Sequence, residues 1–387
     1  MKLLIFEWGA YTQPDINACF DKYHIDYRIV SYHFDNKNED AFFSHHFVKF
    51  LKEDTYDAVF SVNYFPLVAQ ACMEHNIKYL SWSYDNPLNV QNIEETLGFS
   101  TNYVFLFDKK QVERYLKKGF KNVYHLPLAV NPDRLDKIRL TRQELSLYQS
   151  EISFVGKLYL SPLKEYMSVM DDYCKGYIDS ICEAQLKLYG RYLIDDTLSD
   201  SLLDRIEAHY LALKPDTEFF LTREALSYAC AAQVTRKERL LLLSLLSSHY
   251  QVKLYSREQN ALLKKVQYMG SCTYLQQMPK IFKASDINLN ITLKISQTGM
   301  PLRVLDILGS GGFLLSNYQE ELAENFEHEK EIVLYESIED AYAKTDFYLK
   351  HPKLRKEIAK NGNQKTKEKF NYKTQFTMLF QKAGVEF

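Results

Sequence analysis

Between Asp286 and Tyr335 the chain places a cation and a carboxylate three residues apart, just after a glycine. The segment reads Asp-Ile-Asn-Leu-Asn-Ile-Thr, then Gly299-Met-Pro-Leu-Arg-Val-Leu-Asp306, then Gly309-Ser-Gly-Gly-Phe-Leu-Leu-Ser-Asn. Pro301 suits the first turn of a helix, where its missing N–H costs nothing. A helix opening at Gly299-Met300 is therefore expected, and its unpaired amides would form an anion site. Arg303 in the first turn adds a cation able to grip a diphosphate in bidentate fashion. Asp306 lies on the same helical face and offers an acceptor for ribose hydroxyls. The same two residues also fit a plain surface i,i+3 pair with Gly309 as a helix cap, and the residues alone leave both readings open. Gly309-Ser-Gly-Gly312 lies between a helix and a strand, so it reads as a cap and tight turn, not as a dinucleotide fingerprint.

Two more places carry reactive side chains. The run Ile152–Val155 ends in Gly156-Lys157, which sets a second cation at a strand end, although a lysine there is commonly just solvated. Asp85, in Ser83-Tyr-Asp-Asn-Pro87, is the first candidate for a general base; its alternative is a turn-forming aspartate. Asp15, His33 and Asp108 are lesser candidates, and Glu7 either lines the same edge or caps the following helix. No Asp-x-Asp and no His/Cys cluster demands a metal. The six cysteines (Cys19, Cys72, Cys174, Cys182, Cys230, Cys272) include no Cys-x-x-Cys, which argues against zinc or a disulfide framework and fits a reducing, cytoplasmic compartment.

These residues need elements to position them. Short apolar runs at Leu3–Phe6, Tyr27–Ser31, Ala58–Val62, Tyr79–Trp82, Tyr103–Phe107 and Val123–Leu126 read as strands. Helical spacing lies between them, as at Phe42 to Leu51 and Leu67 to His75. Repeated strand–helix units imply a parallel sheet covered on both faces. Right-handed crossovers then bring every strand's C-terminal end to one edge, where such sheets bind ligands. Glu7-Trp-Gly9, Ser61-Val-Asn63, Ser83–Pro87 and Phe107-Asp108 arrive there. The alternation lapses from Ala129 to Gln149, and residues 160–248 are helical in pattern with no legible chemistry. Strands return at Val252–Tyr255, Ile287–Leu289, Phe313–Leu315 and Ile332–Tyr335. The expected class is therefore α/β, with two facing Rossmann-like domains at about 1–145 and 146–371 and a cleft between them.

Composition narrows the function. A chain of 387 residues exceeds what one core usually organises. A formal charge of −2 is not the basic footprint of a nucleic-acid binder. Glu7 interrupts the apolar start too early for a secretory segment, and Leu240–Leu246 is far too short to span a bilayer. A soluble protein is expected, with at most peripheral membrane contact. The run Lys353–Lys369 has seven Lys/Arg against two Glu and reads first as a solvated helix face. The 29 Tyr and 24 Phe are mostly core and imply no sugar platform.

Residues 268 to 372 resemble the C-terminal domain of CgeB-like (spore-maturation-protein-like) GT-B glycosyltransferases, in the manner of glycosyltransferase families 1 and 4. The matching motifs are Met278-Pro279, Asp286–Thr292, Gly299–Asp306, Gly311–Leu315, Phe326, Tyr335-Glu-Ser337 and Ile358–Gly362. Trp82–Pro87, Phe105–Asp108 and Leu126–Ala129 carry the likeness into the N-terminal half.

The resemblance implies metal-independent transfer of a sugar from a nucleoside diphosphate, UDP foremost. The acceptor would be a glycan, a protein or a small molecule, and no further cofactor is implied. Gly156, Lys157, Tyr274, Thr298, Gly299, Met300, Arg303 and Asp306 would bind the donor. Ser271–Tyr274 would cradle the base, and Asp306 would take the place of the second acid of a Glu-x7-Glu pair. The first acid falls at Thr298, which is not acidic, so retention and inversion both stay open. The resemblance also implies that the last helix, about 372–387, packs back on the N-terminal domain. A GT-B sugar-nucleotide epimerase and a non-catalytic sugar-nucleotide scaffold are the competing readings.

Overall fold

The computed structural model describes residues 1–386 apart from 35, 37, 89, 91 and 220. Residue 220 in the helical stretch and residue 387 at the chain end lie outside the described residues. The chain forms two compact units. One comprises Met1–Ile138, Thr298–Gly309 and Asn363–Phe387; the other comprises Arg139–Gln297 and Ser310–Gly362.

The first unit is built on β1 (Lys2–Glu7), β2 (Asp26–Ser31), β3 (Ala58–Val62), β4 (Lys78–Ser83), β5 (Asn102–Leu106) and β6 (Val123–His125). Their order in the sheet is β2-β1-β3-β4-β5-β6, with every neighbour parallel. Leu3 to Phe6 and Ala58 to Phe60 are wholly buried. A strand covered on both faces has no solvent side to reserve for polar residues, so it reads as an unbroken apolar run. The second unit holds β7 (Ser150–Val155), β8 (Val252–Tyr255), β9 (Gln267–Tyr268), β10 (Ser285–Asn290), β11 (Leu314–Asn317) and β12 (Val333–Tyr335). Their order is β12-β11-β10-β7-β8-β9, again all parallel.

The α/β class expected from the apolar runs is the class observed. The second sheet has the doubly wound dinucleotide order, and the first has the flavodoxin-like order extended by a sixth strand. The topological switch points, where such sheets take ligands, fall between β1 and β3 and between β7 and β10. The short β9 was not anticipated, because Gln267 and Tyr268 are both exposed and show no apolar pattern.

Residues 160–248 fold into helices of the second unit, with Leu163, Cys174, Ile178, Ile181, Leu202, Ile206, Leu226 and Cys230 in one core. Arg223–Ser247 is the long helix of this group, and its C-terminal half also contributes Leu242, Leu243 and Leu246 to the core of the sheet. In the first unit the final helix, Tyr372–Ala383, lays Phe376 against Phe20, Phe60 and Trp82, with ring centroids 4.6, 5.5 and 5.5 Å apart. No helix among the described residues is long and apolar enough to cross a membrane.

Phe376 is fully buried, so Phe376→Ala is expected to cost about 3–5 kcal/mol. Urea unfolding of the full chain should show the midpoint drop, and an unchanged midpoint would contradict this packing.

Candidate functional site

In the first unit the loops after β4 and β5 meet the segment Thr298–Gly299 at one carboxylate. Asp108 is wholly buried and caps the helix Lys109–Lys117, its Oδ1 accepting from the Lys110 and Gln111 amides at 2.9 and 3.3 Å. The Thr298 hydroxyl donates to the same oxygen at 3.0 Å. Oδ2 accepts from Asn86 Nδ2 at 2.9 Å and from the Thr298 amide at 3.4 Å. A buried acceptor left unmatched costs about 1–3 kcal/mol, and here both oxygens are matched. Asp108 is thus a clamp and not a solvent-facing base. The non-acidic Thr298 has a structural use, since its hydroxyl and amide are both held by that clamp.

The helix that follows begins at Leu302, not at Gly299-Met300 as the proline suggested. It runs Leu302–Gly309, and Pro301 immediately precedes it, its carbonyl accepting from the Val304 amide at 3.0 Å. Gly299 serves a different need. A Cβ there would lie 2.8 Å from the Phe107 carbonyl oxygen and 2.9 Å from the Asp108 Cα, so the glycine permits close backbone approach. Met300 is buried.

Arg303 and Asp306 do face each other, Nη1 to Oδ2 at 3.3 Å, with the arginine about a quarter exposed and the aspartate nearly buried. Burial raises the Tyr84 phenol above its ordinary value. The nearby Asp15 and Asp306 charges add to that rise. Asp306 therefore lies in the neighbourhood of Tyr84. Gly309 ends the helix where a Cβ would meet Leu135 Cδ1 at 2.9 Å, and the tight turn falls on Gly311, with φ +82°.

Asp85 is exposed in the loop after β4. Asn63, at φ +67°, orders that loop: its Nδ2 donates to Asp85 Oδ2 at 2.8 Å, and its Oδ1 accepts from the Tyr84 amide at 2.8 Å. Glu7 accepts from the Ser31 hydroxyl at 3.0 Å. Asp15 is buried in a bidentate pair with Arg134, with both contacts at 2.7 Å; this geometry makes it a strut. His33 is exposed in the segment after β2.

In the second unit Lys157 is exposed and Gly156 half-buried just beyond β7. Tyr274 is half-buried in the turn before the helix Gln277–Ala284, and Gly270, at φ +75°, turns the chain ahead of it. Sequence reasoning missed the residues that hold the turn after β7. Arg239 donates from Nη1 to the Lys157 carbonyl and from Nη2 to the Ile291 carbonyl. Arg236 Nη1 donates to the Tyr159 carbonyl at 2.9 Å, and the Leu158 amide donates to Glu258 at 2.6 Å. Glu238, wholly buried, pairs with Lys294 at 2.9 Å and accepts from the Tyr189 and Tyr335 hydroxyls at 3.0 and 3.2 Å.

A signal was present. Thr235, Glu238, Arg239 and Leu242 recur at the spacing of a buried helical stripe, so polar residues occupy inward positions. Among the described residues no three His, Cys, Asp or Glu side chains are grouped to hold a metal ion.

Two glycine substitutions are expected to act in opposite directions. Gly299→Ala forces backbone atoms apart and should cost about 1–3 kcal/mol. Gly176→Ala meets nothing within 4 Å inside the helix Asp172–Lys187 and should stabilise by about 0.5–1 kcal/mol. Denaturant unfolding of both variants checks the signs, and equal effects would refute the close approach at Gly299.

Residues 235–381 match a family model described as glycosyl transferase-like. No curated protein matches the chain in sequence. Among solved structures the chain is similar to a glycosyltransferase from Rickettsia africae, at 10% identity over 98% of each chain with TM-score 0.54. It is also similar to HepE of Anabaena, solved with UDP-glucose, at 10% identity over 99% of each chain with TM-score 0.55. WaaG, a glycosyltransferase involved in lipopolysaccharide biosynthesis, is similar at 12% identity over 99% of this chain and all of that one, with TM-score 0.52. The two doubly wound sheets and these likenesses agree on a GT-B fold, and residues 235–381 carry the match to the glycosyl transferase-like model.

Proposed function

We propose that this chain is a glycosyltransferase that uses a UDP-sugar as donor, passes the sugar to an acceptor hydroxyl, and needs no metal ion. The observation that carries the reading is the placement of Arg303 and Asp306 on one short helix inside the family-matched stretch. The UDP-glucose in the similar HepE structure supports UDP as the leaving group.

In the reaction the bond from the anomeric carbon to the diphosphate oxygen breaks and its electron pair leaves with UDP. The acceptor oxygen bonds to the same carbon, and its proton passes to a base or to the departing phosphate. Arg303 and Lys157 are each, within its own unit, a cation suited to the negative charge that develops on a leaving diphosphate, as oriented cations are without a metal. In the first unit Asp306 is the acceptor for ribose hydroxyls, beside Thr298, Gly299 and Met300; in the second, Tyr274 and its loop are the candidate holders of the base, with Gly156 beside Lys157. Asp85 is the base if the anomeric centre inverts. The scattered cysteines support a reducing, cytoplasmic setting for this chemistry.

Incubation with labelled UDP-sugars and product analysis tests the activity. Free UDP with a glycosylated product supports transfer. An epimerised donor would make the chain an epimerase, and absence of turnover with tight UDP binding would make it a scaffold.

Arg303→Ala is expected to weaken UDP binding by roughly 1.5–3 kcal/mol, the worth of a charge-assisted hydrogen bond, while transfer by the unsubstituted chain persists in excess chelator. Calorimetric titration and a chelated assay read these two results. Unchanged affinity removes Arg303 from the diphosphate, and strict dependence on added manganese or magnesium removes the metal-free mechanism.

Asp85→Asn is expected to abolish nearly all transfer with UDP affinity intact if the product anomer is inverted, and to cost much less if it is retained. The anomer of the product and the rate of the variant must therefore agree. An inverted product made by the variant at the normal rate would exclude Asp85 as the base.

A further inference from the structure

The helix Arg223–Ser247 belongs to the stretch whose sequence carried no readable chemistry, yet four of its residues reach the switch point of the second sheet. β7 and β10 are neighbours there, and the chain leaves each at the same edge. Arg239 is nearly buried and bonds one carbonyl beyond each strand, those of Lys157 and Ile291. Its guanidinium lies over the Phe154 and Tyr159 rings at 5.0 and 4.7 Å. Arg236 takes the Tyr159 carbonyl at 2.9 Å. Tyr159 stands at φ +62°, a left-handed conformation that a bulky residue keeps only when its surroundings enforce it. On the β10 side the Lys294 amide donates to the Thr235 hydroxyl at 3.0 Å, the Lys294 ammonium pairs with Glu238 at 2.9 Å, and it lies 4.0 Å from the centre of the Tyr189 ring.

An apolar helix face of the same volume would commonly be as stable or more so, because buried ion pairs repay their desolvation poorly. What charged groups add is direction. Each arginine fixes a named carbonyl, so the two exit loops are held at one separation and one orientation.

We propose that Arg239 and Arg236 are positioning residues, which set the turn Gly156–Tyr159 against the loop Ile291–Lys294 so that Gly156 and Lys157 can receive the nucleoside diphosphate. This inference rests on the donor reading given above. Neither arginine touches the nucleotide; they act through the turn that does.

UDP titration of the full chain tests it, with each variant's folding checked by its thermal midpoint and circular dichroism. Arg239→Met should bind UDP at least ten-fold more weakly, as loss of charge-assisted hydrogen bonds implies. Arg239→Lys, which keeps a donor for one carbonyl, should recover part of that loss. Arg236→Ala removes a single contact from a half-buried position and should weaken binding several-fold; it decides the matter if Arg239→Met does not fold. Lys237→Ala, on the exposed side where Lys237 pairs with Glu183, should bind as the unsubstituted chain does.

Unchanged UDP affinity in folded Arg236→Ala and Arg239→Met overturns the positioning role, even if their thermal midpoints fall. An equal loss in Lys237→Ala overturns it as well. Failure of the unsubstituted chain to bind UDP would instead remove the donor reading, and this inference with it.

Discussion

The first unit depends on a buried carboxylate with nowhere to find water. Asp108 sits at the end of β5 with no exposed surface, and the backbone and side-chain donors of Asn86, Lys110, Gln111 and Thr298 converge on its two oxygens. Such a group is tolerated in an interior only when its acceptors are matched. Matching them ties together the loop bearing Asp85, the start of the helix Lys109–Lys117, and the approach to the helix that carries Arg303 and Asp306. Gly299 follows from the same requirement. With Thr298 held that closely, the next residue passes the Phe107 carbonyl at a distance that leaves no room for a side chain.

The second unit meets an equivalent demand with different residues. Parallel strands deliver their last carbonyls to a common edge, and the chain beyond them has no ladder partner. At β7 and β10 the partners are arginine guanidinium groups from the helix Arg223–Ser247, and a glutamate neutralises the lysine beside them. Guanidinium suits this task because its fork of donors is rigid and can address two acceptors at once.

The similarity to solved structures at 10–12% identity is intelligible in these terms. A doubly wound parallel sheet asks for buried strands of branched and aromatic residues, covering helices and short crossovers. It asks nothing of particular side chains except where strand ends must be tied. Most of the sequence can therefore change while the fold persists, and the residues at the strand ends are where members of one fold can differ in chemistry.

The short, mostly apolar runs at Leu3–Phe6, Ala58–Val62 and Val252–Tyr255, alternating with helical spacing, were enough to determine strands, parallel pairing and the α/β class, because burial on both faces leaves that pattern and few others. Gly299, Arg303 and Asp306 were legible as a group because they lie within eight residues of one another, at helical spacing. Local spacing does not report what is distant. Asp108 read as a spare acid until Thr298, 190 residues away, was found on its carboxylate. Arg239 and Glu238 lie in a stretch that reads as helical with no legible chemistry, although their partners lie at Lys157, Ile291, Lys294 and Tyr335. Whether a carboxylate or a guanidinium meets solvent, substrate or a backbone carbonyl depends on which strand ends the topology brings together, and only the tertiary structure decides that.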